Sequence, residues 1–310
     1  MNKSIRTIVS AFVIAVISSS LHSCSNETID TQDKSSKKVD VNITFSDFNF
    51  TFDDGNTSTR ASDQTPTSAG MNRISLSVFD SNNTLAFSTT KNATTDGDNF
   101  ENISCSLYPG NYQFVVVVHK ANEDSEEAVA IASPTQATLT TSKLFDVFSV
   151  NKTVDIVADQ TNNVSIDLGK CITSKFQLYT NDPTPSSVAT CEILLNPSSS
   201  ATTAYVFNPT TGFAPENYMH RTEFTRDEEL TTFQNVLLGV YCFLTQNPQN
   251  ISVTVNMKDA SGNIVKSRTF DDVPMAPHRI TRAKGSFFNS TATFSFVLDS
   301  NYDTRYDYVF

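Results

Sequence analysis

Apolar side chains recur at every second residue through most of this chain: Val41, Ile43, Phe45; Ile74, Leu76, Val78; Ile103, Cys105, Leu107; Ile251, Val253, Val255, Met257; Phe294, Phe296, Leu298. A period of two places such residues on one face of a strand, where a helix would scatter them. Turn-forming clusters separate the runs, notably Asp80-Ser81-Asn82-Asn83, Pro109-Gly110 and Asp259-Ala260-Ser261-Gly262-Asn263. With 23 Phe and no Trp, and with abundant Thr, Ser, Asn and Val, the composition also favours strands joined by polar turns. The fold is expected to be all-β. Phe48, Phe50 and Phe52 fall out of phase with Val41 to Phe45, which predicts a bulge or bend at Ser46-Asp47. Val115 to Val118 and Val236 to Leu244 are apolar on both faces, as strands covered on both sides must be. Residues 216–233 are the one stretch expected to be helical, with Thr225 and Glu228 as a capping box.

The length suits two cores. Gly110-Asn111-Tyr112 and Gly239-Val240-Tyr241 each set a tyrosine two residues after a glycine, as in the tyrosine corner of immunoglobulin-like sandwiches. The expectation is two tandem immunoglobulin-like or transthyretin-like sandwiches, residues 41–168 and 169–310. Their hairpins fall in different orders, so no internal repeat is expected.

The N-terminus carries Lys3 and Arg6, then an almost wholly apolar Ile8 to Ile17, too short to span a bilayer. Leu21-His22-Ser23-Cys24 resembles the lipobox of bacterial lipoproteins, which implies cleavage of residues 1–23 and acylation (palmitate among the chains) at Cys24. Residues 24–40 read as a polar tether, and Ser25 resembles lipoproteins released to the outer membrane. The formal net charge of −11 becomes two units more negative once Lys3 and Arg6 are removed. Such a polyanion repels nucleic acid, which is excluded as a partner.

Cys105, Cys171, Cys191 and Cys242 remain after Cys24; an exported protein can pair them as disulfides or bury them as small apolar groups. No Cys-x-x-Cys, His-Glu-x-x-His or Gly-x-Ser-x-Gly spacing appears. His119 reads as a strand-end residue, and Asp96 to Glu101 as loop composition short of a calcium-binding pattern. Neither enzyme activity nor a metal or cofactor is expected.

In their order along the chain, the lipobox at Cys24, Ser58-Thr59-Arg60-Ala61-Ser62, Leu107 to Asn122, Asp146-Val147-Phe148, Asp272-Val273-Pro274, His278 to Gly285 and Thr293 to Asp299 resemble the fimbrillin superfamily of Bacteroidetes. That superfamily holds FimA-like stalk subunits and FimB-like anchor subunits. The resemblance implies a surface lipoprotein that joins other fimbrial subunits by strand exchange and helps cells adhere to a host or bacterial receptor. It makes Arg60 a candidate processing site, whose cleavage would remove the first strand, as in a stalk subunit; an anchor keeps that strand and its lipid. The alternating Tyr306, Tyr308 and Phe310 form a candidate donor strand. A glycan-binding surface lipoprotein is the alternative, with Tyr205, Tyr218, Tyr302, Tyr306 and Tyr308 as stacking faces.

Overall fold

The computed structural model describes residues 37–46, 65–67, 70–121, 127, 129–169, 171–196, 204–215, 220–225, 237–289 and 294–299. The first half carries β1 (Val39–Ser46), β2 (Arg73–Asp80), β3 (Leu85–Asn92), a single turn of helix α1 (Ala93–Asp96), β4 (Ile103–Leu107) and β5 (Gly110–His119). It continues through β6 (Val129–Ser133), β7 (Gln136–Thr140), β8 (Val147–Ile156) and β9 (Asn162–Asp167). The second half opens with β10 (Ser174–Thr180), β11 (Thr190–Leu195), β12 (Ala204–Phe207), β13 (His220–Thr225) and β14 (Leu237–Cys242). It ends with β15 (Gln249–Lys258), β16 (Ile264–Met275), β17 (Ile280–Gly285) and β18 (Ser295–Asp299). The protein is all-β, as the alternation requires.

In the first half the sheet β4-β1-β9 packs over the sheet β3-β2-β5-β8. Val41, Ile43, Ile74, Leu76, Phe114, Val116 and Ile166 fill the space between them. In the second half β14-β10-β17-β18 packs over β13-β11-β15-β16, around Phe176, Leu178, Ile193, Val240, Val253 and Val255. The two halves share one connectivity. Each opening strand, β1 or β10, lies between an antiparallel neighbour (β4, β14) and a parallel one (β9, β17). In the facing sheets β2 lies between β3 and β5 with β8 beyond, and β11 lies between β13 and β15 with β16 beyond. This is the transthyretin-like order, and it corrects the expectation that the halves are not a repeat. The hairpins misled because near-identical turns sit at different places in that order. Asp80 accepts the Asn82 and Thr84 N–H groups, both at 2.8 Å, between the second and third strands of its half. Asp259 accepts those of Ser261 and Asn263 at 2.9 and 2.8 Å, and its hairpin lies further along the second half.

A third sheet, β12-β7-β6, joins the halves: β12 pairs with β7 from Ala204 opposite Thr140 to Phe207 opposite Ala137. It covers the outer face of β5, so Val116 points into the first core while Val117 points into a third, with Leu139, Val147, Tyr205, Phe207, Tyr241 and Phe243. The two-sided apolar runs in β5 and β14 have this cause. Phe207 and Phe243 stack with ring centroids 4.6 Å apart. The loop after β12 is tied down as well: Thr210 Oγ1 donates to Pro134 O at 2.8 Å, and Ser149 Oγ to Pro209 O at 2.8 Å. Gly212 takes φ +80° against Ile172, where an added Cβ would lie 2.7 Å from Ile172 Cγ2.

The helix expected over 216–233 is also corrected. Residues 220–225 form β13, paired antiparallel with β11 from Thr190 opposite Thr225 to Leu195 opposite His220. Six residues gain a ladder of long-range bonds there, which outweighs a weak local helix signal. Glu228 lies outside the described residues.

Tyr112 forms a tyrosine corner. Tyr112 Oη donates to Tyr108 O, four residues upstream, at 3.0 Å. Tyr112→Phe is expected to cost about 1 kcal/mol, lowering the thermal midpoint by about 2–4 °C in a circular-dichroism melt. An unchanged midpoint would make that bond incidental. Tyr241 differs: its hydroxyl accepts from Lys175 Nζ at 3.1 Å.

Candidate strand-exchange site

β1 is held on both edges and one face. Val39 to Ile43 pair antiparallel with Leu107 to Ile103, and Val41 to Ser46 pair parallel with Asn162 to Asp167. Val41 and Ile43 are buried and Phe45 is half-buried against the first core. On the outer face Ser104 Oγ donates to Asn42 Oδ1 at 3.1 Å, Asn42 Nδ2 to Asn163 Oδ1 at 3.3 Å, and Ser106 Oγ to Asp40 Oδ1 at 3.2 Å. Strands in a sheet lie about 4.8 Å apart, so removing β1 leaves β4 and β9 separated by a slot one strand wide. Ile103, Leu107, Val164 and Ile166 border it.

Cys24, Arg60, Tyr306, Tyr308 and Phe310 lie outside the described residues, as do Tyr218 and Tyr302. Tyr205 is buried in the third core and offers no stacking face. The structure holds Cys105, Cys171, Cys191 and Cys242 as thiols, not disulfides. Cys105 and Cys171 belong to the first core, Cys191 and Cys242 to the second. Burial raises the thiol pKa of Cys105 to about 11 and of Cys242 to about 12. Cys171 is pushed up too, by burial and by Asp146.

His119 ends β5, buried, and neither ring nitrogen has a hydrogen-bond partner. Burial, then the Arg73 charge, lowers its pKa from 6.5 to about 3. The unfolded chain therefore takes up this proton before the folded one does. The stability that His119 contributes is complete above pH 6.5 and falls as pH drops towards 3, by at most about 1.4 kcal/mol per pH unit. His119→Leu is expected to flatten this part of a urea-midpoint against pH curve; an unaltered slope would assign the acid sensitivity elsewhere.

Asp96, in the fragment weighed as a calcium loop, is engaged otherwise. It bonds the Asn92 N–H at 2.8 Å and pairs with Lys91 at 2.9 Å, and its pKa is lowered, first by the Asn92 bond. Among the described residues no cluster of three His, Cys, Asp or Glu is placed to hold a metal.

Two features escaped the sequence reading. Lys175 is buried, its Nζ 4.7 Å from the Tyr241 ring centre. Gly239 makes room for it, since a Cβ there would lie 2.8 Å from Lys175 Cε. Asp182, in the segment read only as a chain break, accepts three successive backbone N–H groups at residues 287–289. Gly-x-Tyr and Asp-Pro marked both places but not the distant partners.

Two sandwiches of one connectivity, bridged by a third sheet, define a tandem transthyretin-like β-sandwich protein. The chain belongs to a family of unknown function, DUF6562, whose model matches residues 34–309. No curated protein sequence matches it. Similar solved structures include the fimbrial anchor protein Mfa2 from Porphyromonas gingivalis, at 11% identity and TM-score 0.49, covering 85% of this chain and 98% of that one. A fimbrial assembly protein from Parabacteroides distasonis matches at 11% identity and TM-score 0.43, covering 84% and 99%.

Proposed function

We propose that this protein is a cell-surface lipoprotein of the outer membrane, acylated at Cys24, that serves as a fimbrial anchor or accessory subunit. It joins other subunits by β-strand exchange and contributes to cell adhesion, with residues 41–168 and 169–310 acting as its two sandwich domains. The observation that carries the reading is the place of β1. It is the first strand after the lipid tether, it lies in the middle of a three-stranded sheet, and its loss leaves a slot that one strand can fill. The order of the fimbrillin-like segments along the sequence supports the same reading. Cleavage after Arg60 would convert the anchor into a polymerising stalk subunit by removing both the lipid and β1.

Mass spectrometry of the mature N-terminus separates these roles. An acylated start at Cys24 is the expected result; a start at Ala61 would assign the stalk role. Surface material from the native cells, run on gels without boiling, should place the protein with high-mass fibres. Recovery as monomer alone would end the fimbrial reading.

A further inference from the structure

β6 ends the third sheet, and beside its outer edge lies a groove of about 320 Å³. Ser75, Ser77, Ser88 and Thr90 form its floor, with Val129 and Ile131 as one wall and the half-exposed Leu85 at its end. The floor is the outer face of β2 and β3, where Ser75 pairs with Thr90 and Ser77 with Ser88. The third sheet covers β5 and β2 but stops short of β3, whose Ser88 and Thr90 remain exposed. One more strand would complete the cover.

The backbone of β6 is oriented to receive it. Val129 N–H donates to Ser75 Oγ at 3.3 Å, so it points away from β7 and down to the floor. Alternate residues of a ladder turn the same way, which directs the N–H and C=O of Ile131 to the outer edge. Val129-Ala130-Ile131-Ala132-Ser133 carries no charge and no proline, two of the usual guards of an exposed edge; a bulge between Ile131 and Ser133 ends the regular edge after Ile131. The neighbouring β3 carries Lys91 and the edge strand β16 carries Lys266 and Arg268.

We infer that the outer edge of β6 is a docking site for one extended peptide strand of a partner protein, with small or hydroxyl-bearing, uncharged side chains facing the Ser75, Ser77, Ser88 and Thr90 floor. The lining decides the chemistry. Among the described residues none that borders the groove is charged, so a charged floor-facing side chain would lose hydration without a counter-ion from them. The width decides the form of the partner. A second copy pairing through its own β6 would bring its β2 and β3 under the joined sheet, where β3 of the first copy already lies. A lone strand has no such body. This site uses other strands than the β1 slot and stands or falls apart from it.

The probe is a dye-labelled, acetylated Ser-Val-Thr-Val-Thr-Lys-Lys peptide, followed by fluorescence anisotropy against the mature chain. Saturable binding is expected, reduced at least tenfold by Ile131→Pro, which removes the edge N–H. Ser88→Lys combined with Thr90→Lys, both at exposed positions, should do the same without touching the backbone, and serves if the proline variant fails to fold. A peptide of residues 39–46 should not compete. Equal binding to all variants, no saturation up to about 1 mM, or competition by the 39–46 peptide overturns the inference. Dimerisation of the chain abolished by Ile131→Pro overturns it equally, since the occupant would then be a second copy.

Discussion

Replacing Ile43 with aspartate will drive β1 out of its slot while the rest of the first sandwich stays folded. Ile43 is 1% exposed and lies opposite Ile103 on one side and Val164 on the other, so a carboxylate there meets neither water nor a cation. The cost of about 4 kcal/mol or more exceeds what the side-chain bonds of Asn42 and Asp40 on the wetter face can offset. The remaining strands keep the facing sheet β3-β2-β5-β8 and most of the apolar side chains of that core. Hydrogen exchange should then show fast exchange at 39–46 and retained protection in β2 and β5. A wild-type peptide of residues 39–46, added in solution, should bind saturably and restore the slow exchange of β4 and β9. Should the whole sandwich melt instead, the slot has no existence without β1, and strand exchange at that place loses its physical basis.

Asp182→Ala has the second largest expected effect. One oxygen of Asp182 accepts the Phe287 N–H at 2.7 Å; the other accepts those of Phe288 and Asn289 at 2.6 and 3.1 Å. These bonds fasten the segment after β17, with Phe287 seated in the second core and Arg268 Nε donating to Phe287 O at 2.6 Å. Beyond that segment lie Phe294 and Phe296, both edge-on to Phe270, at 4.7 and 6.0 Å. Bonds to a charged acceptor are worth more than neutral ones, but water replaces part of them where the groups are half-exposed. A loss of about 3 kcal/mol is expected, or a thermal midpoint lower by about 6–12 °C. Asp182→Asn, which keeps an acceptor oxygen, should lose less. A shift under about 2 °C for the alanine variant would mean that the ladder with β17 and the contacts of Phe294 and Phe296 hold β18 without it.

The strands legible in advance were those with sustained alternation, such as Ile74 to Val78 or Ile251 to Met257, because alternation depends only on each residue's own neighbours. β6, β7 and β12 were not anticipated. They are four or five residues long, and Ala130, Ala132 and Thr138 blur their pattern. Their partners lie far along the chain, and no local signal announces them. Tyr205 illustrates the consequence: a tyrosine in a polar stretch reads as a surface ring until β12 is seen to pair with β7.

For the candidate site, position 43 was readable as a core residue of the first strand, yet not as the middle of a sheet. That required knowing that β9, over a hundred residues later, pairs with β1 in parallel. The sequence alone determined that the chain folds as strands, which faces are buried, where several turns fall, and that an apolar stretch and a cysteine precede them. Only the tertiary structure decided that both halves follow one connectivity, that a third sheet joins them, and that β1 fills a slot between two distant strands. Side-chain alternation is written residue by residue, whereas the choice of neighbour is made by backbone hydrogen bonds and shared burial between segments that the sequence holds apart.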